Sequence, residues 1–164
     1  QLSIGDALAV AVLSLKNISK KDFKKFHPSG NLGAKLKIVE ELMLTKEKIP
    51  FINENSTMKS ALKIISLKKL GTLIVRNKIG NTTGIITDGQ IRRIAQKNDY
   101  LSDLKVRNVM TKNPIKVSKD TLAIKALAIM NENKITSLCV SSHLNKNKTI
   151  GIIHIHNILE AGIS

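Results

Sequence analysis

Gly84-Ile85-Ile86-Thr87 and Gly151-Ile152-Ile153-His154 spell one pattern, a glycine, two β-branched apolar residues and a polar residue, set 67 residues apart. Met43 and Met110 keep the same separation, each behind a valine-led, mostly polar run. Between these anchors the register slips slightly. Ala61-Leu62 answers to Ala126-Leu127, and Leu73-Ile74-Val75 to Leu138-Cys139-Val140, both at an offset of 65. A repeat held at both ends, with its slip confined to loops, is one supersecondary unit copied in tandem. The chain must therefore be built twice from the same part.

Taken in order, residues 5–15 read as a helix that is apolar nearly all round, which predicts burial in a larger body. Ser19 opens a second helix with Asp22 three residues on and Phe23 and Phe26 on one face, and Pro28 stops it at His27. A turn-rich loop, 27–33, follows. The first unit then begins at 39–44, with an extended stretch at 50–52. A helix carries Met58, Ala61, Leu62 and Ile65 at i, i+3, i+4, i+7 spacing. Two short apolar strands, 72–75 and 84–87, flank a Gly/Asn turn, and a helix over about 89–96 leads to a linker at 97–99. The second unit copies this with 109–111, 114–117, a helix bearing Ala123, Ala126, Leu127 and Met130, strands at 138–140 and 150–154, and a closing helix. Each unit is β-α-β-β-α, of mixed α/β class. One copy is too small to bury its own sheet and helices, so the two should pack face to face about a pseudo-twofold axis.

The core must be aliphatic, because aromatics are 2% of the 164 residues. The single cysteine, Cys139, excludes an internal disulfide, fits a reducing compartment, and reads as a buried structural thiol inside an apolar strand. A net charge of +15 would ordinarily suggest nucleic acid. Here the cations are four arginines and twenty-three lysines scattered among Asn and Ile, without the clustered arginines or interleaved aromatics of nucleic-acid readers. The reading is no nucleic acid and no membrane. The apolar run at 7–15, bounded by Asp6 and Lys16, is well short of the roughly 20 residues that span a bilayer. Beginning at Gln1, the chain reads as cut from something longer, with a domain expected upstream.

The β-α-β-β-α order, the paired methionines and the Gly-Ile-Ile-Thr ending resemble a tandem pair of cystathionine-β-synthase-type (CBS) domains over about 38–164. The upstream stretch Gly5-Asp6-Ala7-Leu8-Ala9-Val10-Ala11, with Phe23, Phe26 and His27-Pro28-Ser29-Gly30-Asn31-Leu32-Gly33, is similar to the end of the sugar isomerase domain of bacterial arabinose-5-phosphate isomerases. So are Thr87-Asp88-Gly89 before Ile91-Arg92-Arg93, and His154 and His156. The resemblance implies three parts: a helical remnant of that isomerase domain at 1–37, a first CBS domain at 38–99 and a second at 100–164. It implies a cytoplasmic parent enzyme that interconverts ribulose 5-phosphate and arabinose 5-phosphate for synthesis of the lipopolysaccharide sugar Kdo. It needs no cofactor, assembles as a homo-oligomer (dimer or tetramer), and is regulated by an adenine nucleotide or CMP-sugar effector. The fragment itself lacks the sheet that holds the sugar phosphate. A free-standing CBS ligand-sensing or assembly module without catalysis is the alternative, and a basic nucleic-acid-binding protein a third.

The resemblance assigns His27 as the catalytic proton-transfer group. The family motif reads H-P-G-G, and here Ser29 stands at its first glycine. On physics alone His27 reads as a helix C-terminal cap. The effector site carried over from CBS pairs comprises Thr87, Asp88, Gln90, His154, His156 and Asn157. There Thr87 and His154 face the inter-repeat cleft, with Gln90 and Asn157 where the family has an acidic residue that holds ribose. An amide gives ribose hydroxyls weaker bonds than a carboxylate, so AMP should bind weakly. The opposing reading is a packing module with no ligand. His154 and His156 would share a strand face if the strand ran through both, yet no nearby Cys or carboxylate completes a metal site. Arg92 and Arg93 read equally as phosphate contacts or a solvated face, and His143 as an exposed turn residue.

Overall fold

A computed structural model describes residues 2–16, 34, 36–96 and 100–164. The expected second helix with Phe23 and Phe26, the loop bearing His27, and the linker 97–99 lie outside the described residues. The first helix, α1 (Leu2–Leu15), is present as expected, with Ile4, Leu8, Val10, Val12 and Leu15 exposed.

The first unit opens with one helical turn, α2 (Val39–Leu42), and a two-residue strand, β1 (Leu44–Thr45). It continues through β2 (Phe51–Asn53), α3 (Met58–Lys68), β3 (Thr72–Arg76), β4 (Thr82–Thr87) and α4 (Asp88–Ala95). The second unit repeats each of these as α5 (Val106–Val109), β5 (Thr111–Lys112), β6 (Lys116–Ser118), α6 (Ala123–Glu132), β7 (Ser137–Ser141), β8 (Thr149–His154) and α7 (Ile155–Glu160). The β-α-β-β-α order holds in both copies. Met58, Ala61 and Ile65 on α3, and Ala123, Ala126, Leu127 and Met130 on α6, are buried at helical spacing, as the periodicity predicts. The central strands β3 and β7 are covered on both faces, which is why they read as unbroken apolar runs.

Two four-stranded sheets result, ordered β2-β3-β4-β5 and β1-β8-β7-β6. Their composition crosses the repeat boundary. The leading strand of each unit leaves its own sheet and pairs antiparallel with the last strand of the other. Leu44 faces Ile152 and Thr45 faces Gly151, while Thr111 faces Ile85 and Lys112 faces Gly84. The two registers are related residue for residue by the 67-residue offset.

The glycines and methionines of the repeat are the two halves of this exchange. A β-carbon at Gly84 would lie 2.5 Å from Met110 Sδ and 2.9 Å from the Thr111 carbonyl oxygen. One at Gly151 would overlap Met43 Sδ and sit 3.2 Å from the Leu44 carbonyl. Each unit's methionine thus fills the hollow left by the other unit's glycine. The helical turns follow the same rule: Val39 N–H donates to Thr121 O at 2.8 Å, and Val106 N–H to Ser56 O at 2.9 Å. Val39 accordingly sits in the core of the second unit with Val117, Ala126 and Ile153, and Val106 and Val109 sit in the core of the first with Met58, Leu73 and Ile86.

A third cluster, Ile49, Ile74, Cys139 and Ile152, joins the sheets. Ile74 and Cys139 are repeat mates, so the seam is lined by equivalent positions. At two points a residue bonds its own counterpart: Thr72 Oγ1 and Ser137 Oγ lie 3.0 Å apart, and Thr82 Oγ1 and Thr149 Oγ1 lie 2.7 Å apart. The pseudo-twofold axis passes between them. Burial pushes the Cys139 thiol up to about 11, against smaller downward pulls from Thr149 and Lys116, so it is a protonated packing group.

Candidate functional site

The β4–α4 junction builds one wall of a cleft of about 540 Å³ at the seam between the units. Thr87 ends β4 in an extended conformation and caps α4, its hydroxyl accepting the Gln90 N–H at 3.4 Å. Asp88 begins the helix, its own N–H held by the Gly71 carbonyl at 2.9 Å, and its carboxylate is exposed. Arg93, on the same helix, reaches the cleft, while Arg92 is not among its lining residues. The facing wall comes from the second unit and is mixed: apolar Pro114, Ile115 and Ile135, polar Asn113 and Thr136, and the cation Lys134. Among the charged residues that line it are two cations and one carboxylate, on an apolar floor that includes Leu70 and Ile85.

The backbone at the mouth is unusual. Among the described residues, the non-glycine residues in left-handed conformation fall into two symmetry pairs, Lys46 and Asn113 at φ 52° and 50°, and Lys69 and Lys134 at φ 55° and 53°. Such backbone costs a residue with a side chain on the order of 1–2 kcal/mol, and it persists where surrounding structure over-determines it. Asn113 and Lys134 project from these turns into the cleft lining.

Of the positions singled out by the sequence, Thr87, Asp88, Gln90 and His154 line this one cleft, and His156 and Asn157 do not. Gln90 is occupied within the protein. Its amide nitrogen donates to the Val109 carbonyl, and its oxygen accepts from the Thr111 hydroxyl at 3.3 Å. The amide ties α4 to the exchanged strand β5. Asn157 has a comparable duty, its side-chain oxygen accepting the His154 N–H at 3.2 Å.

His154 and His156 do not share a strand face. The strand ends at His154, which caps α7 with Nδ1 accepting the His156 N–H at 3.3 Å. The rings still meet across the cap, centroids 4.9 Å apart. Burial first, and His156 second, hold the His154 imidazole below its ordinary value. It is therefore neutral at pH 7, and with Nδ1 accepting, its proton is on Nε2. No three His, Cys, Asp or Glu side chains among the described residues are grouped to hold a metal. His143 is exposed in its turn, with Nε2 2.6 Å from Asp120 and 3.2 Å from Ser118 Oγ.

At the position related to the cleft by the repeat lies a separate hollow of about 390 Å³ lined by Leu44, Glu47, Lys48, Leu67, Lys68 and Leu70, to which His156 and Asn157 contribute nothing. Lys68 Nζ donates to the Glu47 carbonyl there.

Sequence reasoning missed Lys134, Asn113 and the Pro114-Ile115 wall. Lys134 is one lysine among twenty-three, and only its place 65 residues after Lys69 distinguishes it.

Comparison with known proteins bears on this arrangement. The family pattern described as CBS domain matches residues 39–97 and again 106–164. Arabinose 5-phosphate isomerase KdsD of Salmonella typhimurium is 36% identical over 163 residues, covering 99% of this chain and 49% of that protein. The chain thus spans about half the length of the curated relatives it matches. Among solved structures, CBSX2 in complex with AMP superposes with a TM-score of 0.65 at 22% identity, covering 76% of this chain and 95% of the other. The CBS domain pair of MJ0100, in complex with methylthioadenosine and S-adenosyl-L-methionine, gives 0.66 at 20%, covering 76% and 94%. At these identities the structural likeness shows the fold. No helix among the described residues is long and apolar enough to cross a membrane.

Proposed function

This chain belongs to the CBS domain family, and from that premise we propose that it is the regulatory CBS pair of an arabinose-5-phosphate isomerase, holding a nucleotide or nucleotide-sugar effector at the seam between its units. The observation that carries the reading is the seam cleft, where Arg93 and Lys134 offer cations and Pro114, Ile115 and Ile135 offer an apolar wall. An anionic group joined to a flat, largely apolar ring needs that pairing of surfaces. The isomerase assignment rests on the upstream segments and on the similarity to KdsD. In that setting the parent works in the cytoplasm on sugar phosphates that feed Kdo synthesis, and its chains associate through their CBS units.

The test is a thermal melt of the chain with AMP, ADP, ATP, CMP and CMP-sugars. Ligand at a hundred times its Kd stabilises the fold by about 2.7 kcal/mol, a clear upward shift. One observation favours a second reading, a packing module without ligand: the Gln90 amide is used within the protein at both ends. A melting temperature unmoved by every nucleotide supports that reading and ends the first. In the complete enzyme, His27→Ala is expected to lower kcat by about 10²–10⁴ if His27 transfers the proton. Steady-state turnover at the wild-type rate removes it from that role.

A further inference from the structure

We infer that the two seam positions are not two copies of one site: a nucleotide enters only the cleft beside α4, one per chain, while its mate beside α7 has become a structural contact. The inference rests on the effector reading above and deepens it by saying where the ligand goes, how it lies and in what number.

It comes from comparing residues that the repeat makes equivalent. Arg93 on α4 has Glu160 on α7 as its mate, 67 residues on, so a cation in one unit is an anion in the other. Pro114-Ile115, part of the apolar wall of the first cleft, have Glu47-Lys48 as mates, and these line the second hollow. Asp88, the carboxylate of the first cleft, has the apolar Ile155 as its mate. Arg93, Asp88 and the Pro114-Ile115 wall are thus all changed at the second position, while Lys134 keeps a cationic mate in Lys69. In the second hollow a base would meet the charged pair Glu47-Lys48 in place of an aliphatic wall, and an approaching phosphate would meet the Glu47 carboxylate. The second hollow is also strapped: Lys68 Nζ, at the end of α3, donates to the Glu47 carbonyl across it.

In the first cleft the same features give an orientation. The phosphate lies toward Arg93 and Lys134, the base stacks on Pro114 and Ile115, and Asp88 accepts the ribose hydroxyls. The held amide of Gln90 leaves Asp88 as the carboxylate that lines the cleft. His154, neutral with its proton on Nε2, adds a donor.

The experiment is isothermal titration of the whole 164-residue chain with AMP and, separately, with CMP, beside Arg93→Glu, Asp88→Asn, Glu160→Arg and the double change Pro114→Glu/Ile115→Lys, all checked for folding by circular dichroism. One nucleotide per chain is expected. Arg93→Glu and Asp88→Asn should each weaken binding about ten- to a hundredfold, the size of a lost charge-assisted bond. The double change should abolish it, and Glu160→Arg should leave it within about twofold. Two nucleotides per chain, or an affinity that follows Glu160 and ignores Arg93, would overturn the inference while leaving the effector reading intact. Heat-silent titrations with both nucleotides, together with unmoved melting temperatures, would overturn the effector reading itself and this inference with it.

Discussion

The two units of this chain share a backbone and differ in what they expose. Their exchanged strands use the same register, their left-handed turns fall at the same places, and their central strands meet at mated positions. Yet Thr87 is matched by His154, Arg93 by Glu160 and the Pro114-Ile115 wall by Glu47-Lys48. Whatever holds the two halves together has been kept in duplicate, while most of what lines the cleft has diverged, the Lys69 and Lys134 pair excepted. A duplicated fold tolerates this because the residues that close the seam point inward from the sheets, while those of the clefts sit at strand ends and helix starts.

The largest expected effect breaks the shared part unequally. Gly84→Ala drives a β-carbon to 2.9 Å from the backbone carbonyl of Thr111 as well as against Met110, whereas in Gly151→Ala the carbonyl of Leu44, at 3.2 Å, needs to give by only a few tenths of an ångström beside the flexible Met43. Gly84→Ala should cost about 2–3 kcal/mol in urea denaturation and Gly151→Ala about 1 kcal/mol. Combining Gly84→Ala with Met110→Ala should cost less than the two separately, because the first change refills what the second empties. Equal costs at the two glycines would remove the carbonyl from the explanation.

A smaller effect tests the axis. Thr72 and Ser137 are both buried and bond each other. Thr72→Val leaves the Ser137 hydroxyl without that partner and should cost about 1–2 kcal/mol, while Thr72→Val with Ser137→Ala should regain most of it. A double variant as unstable as the sum of both singles would show that the pair does not act as a unit.

The smallest effect separates the two caps by pH. The folded-state imidazole of His154 is held down chiefly by burial, so the unfolded chain takes up its proton first as pH falls. The contribution of His154 is then fully present above the ordinary imidazole value of about 6.5 and is lost below it. Melting temperature should fall between pH 7.5 and 5.5, and His154→Thr, which installs the first unit's cap, should flatten the decline. An unchanged slope in His154→Thr would place the pH response elsewhere.

Much of the fold was readable from the chain because the periodicity of Met58, Ala61 and Ile65, and the runs at Leu73 and Leu138, follow from burial, and burial is written in side-chain type. The strand exchange was not readable. A two-residue strand such as Leu44–Thr45 carries no mark of which sheet it joins, and although Met43, Met110, Gly84 and Gly151 all announce the repeat, nothing in their spacing says which methionine faces which glycine. The site was legible in part. Thr87 and His154 stand out because they end matching strands, and both do line the cleft. His156 was expected on the same strand face as His154 and lies instead in the first turn of a helix, because the His154 side chain caps rather than continues. Lys134 and Asn113 owe their positions to left-handed backbone, which asparagine favours only weakly and lysine does not announce.

The crossed strands have a consequence for any isolated half. A single unit would carry a strand with no sheet to join, a methionine with no hollow to fill and a glycine hollow left open. Two identical units meeting head to head would satisfy all three at once, by lending each other their leading strands. One half expressed alone should therefore be a homodimer held together by exchange, and the covalent chain is that dimer with its partners tethered, the second association turned from a bimolecular event into an intramolecular one whose effective concentration is set by the linker.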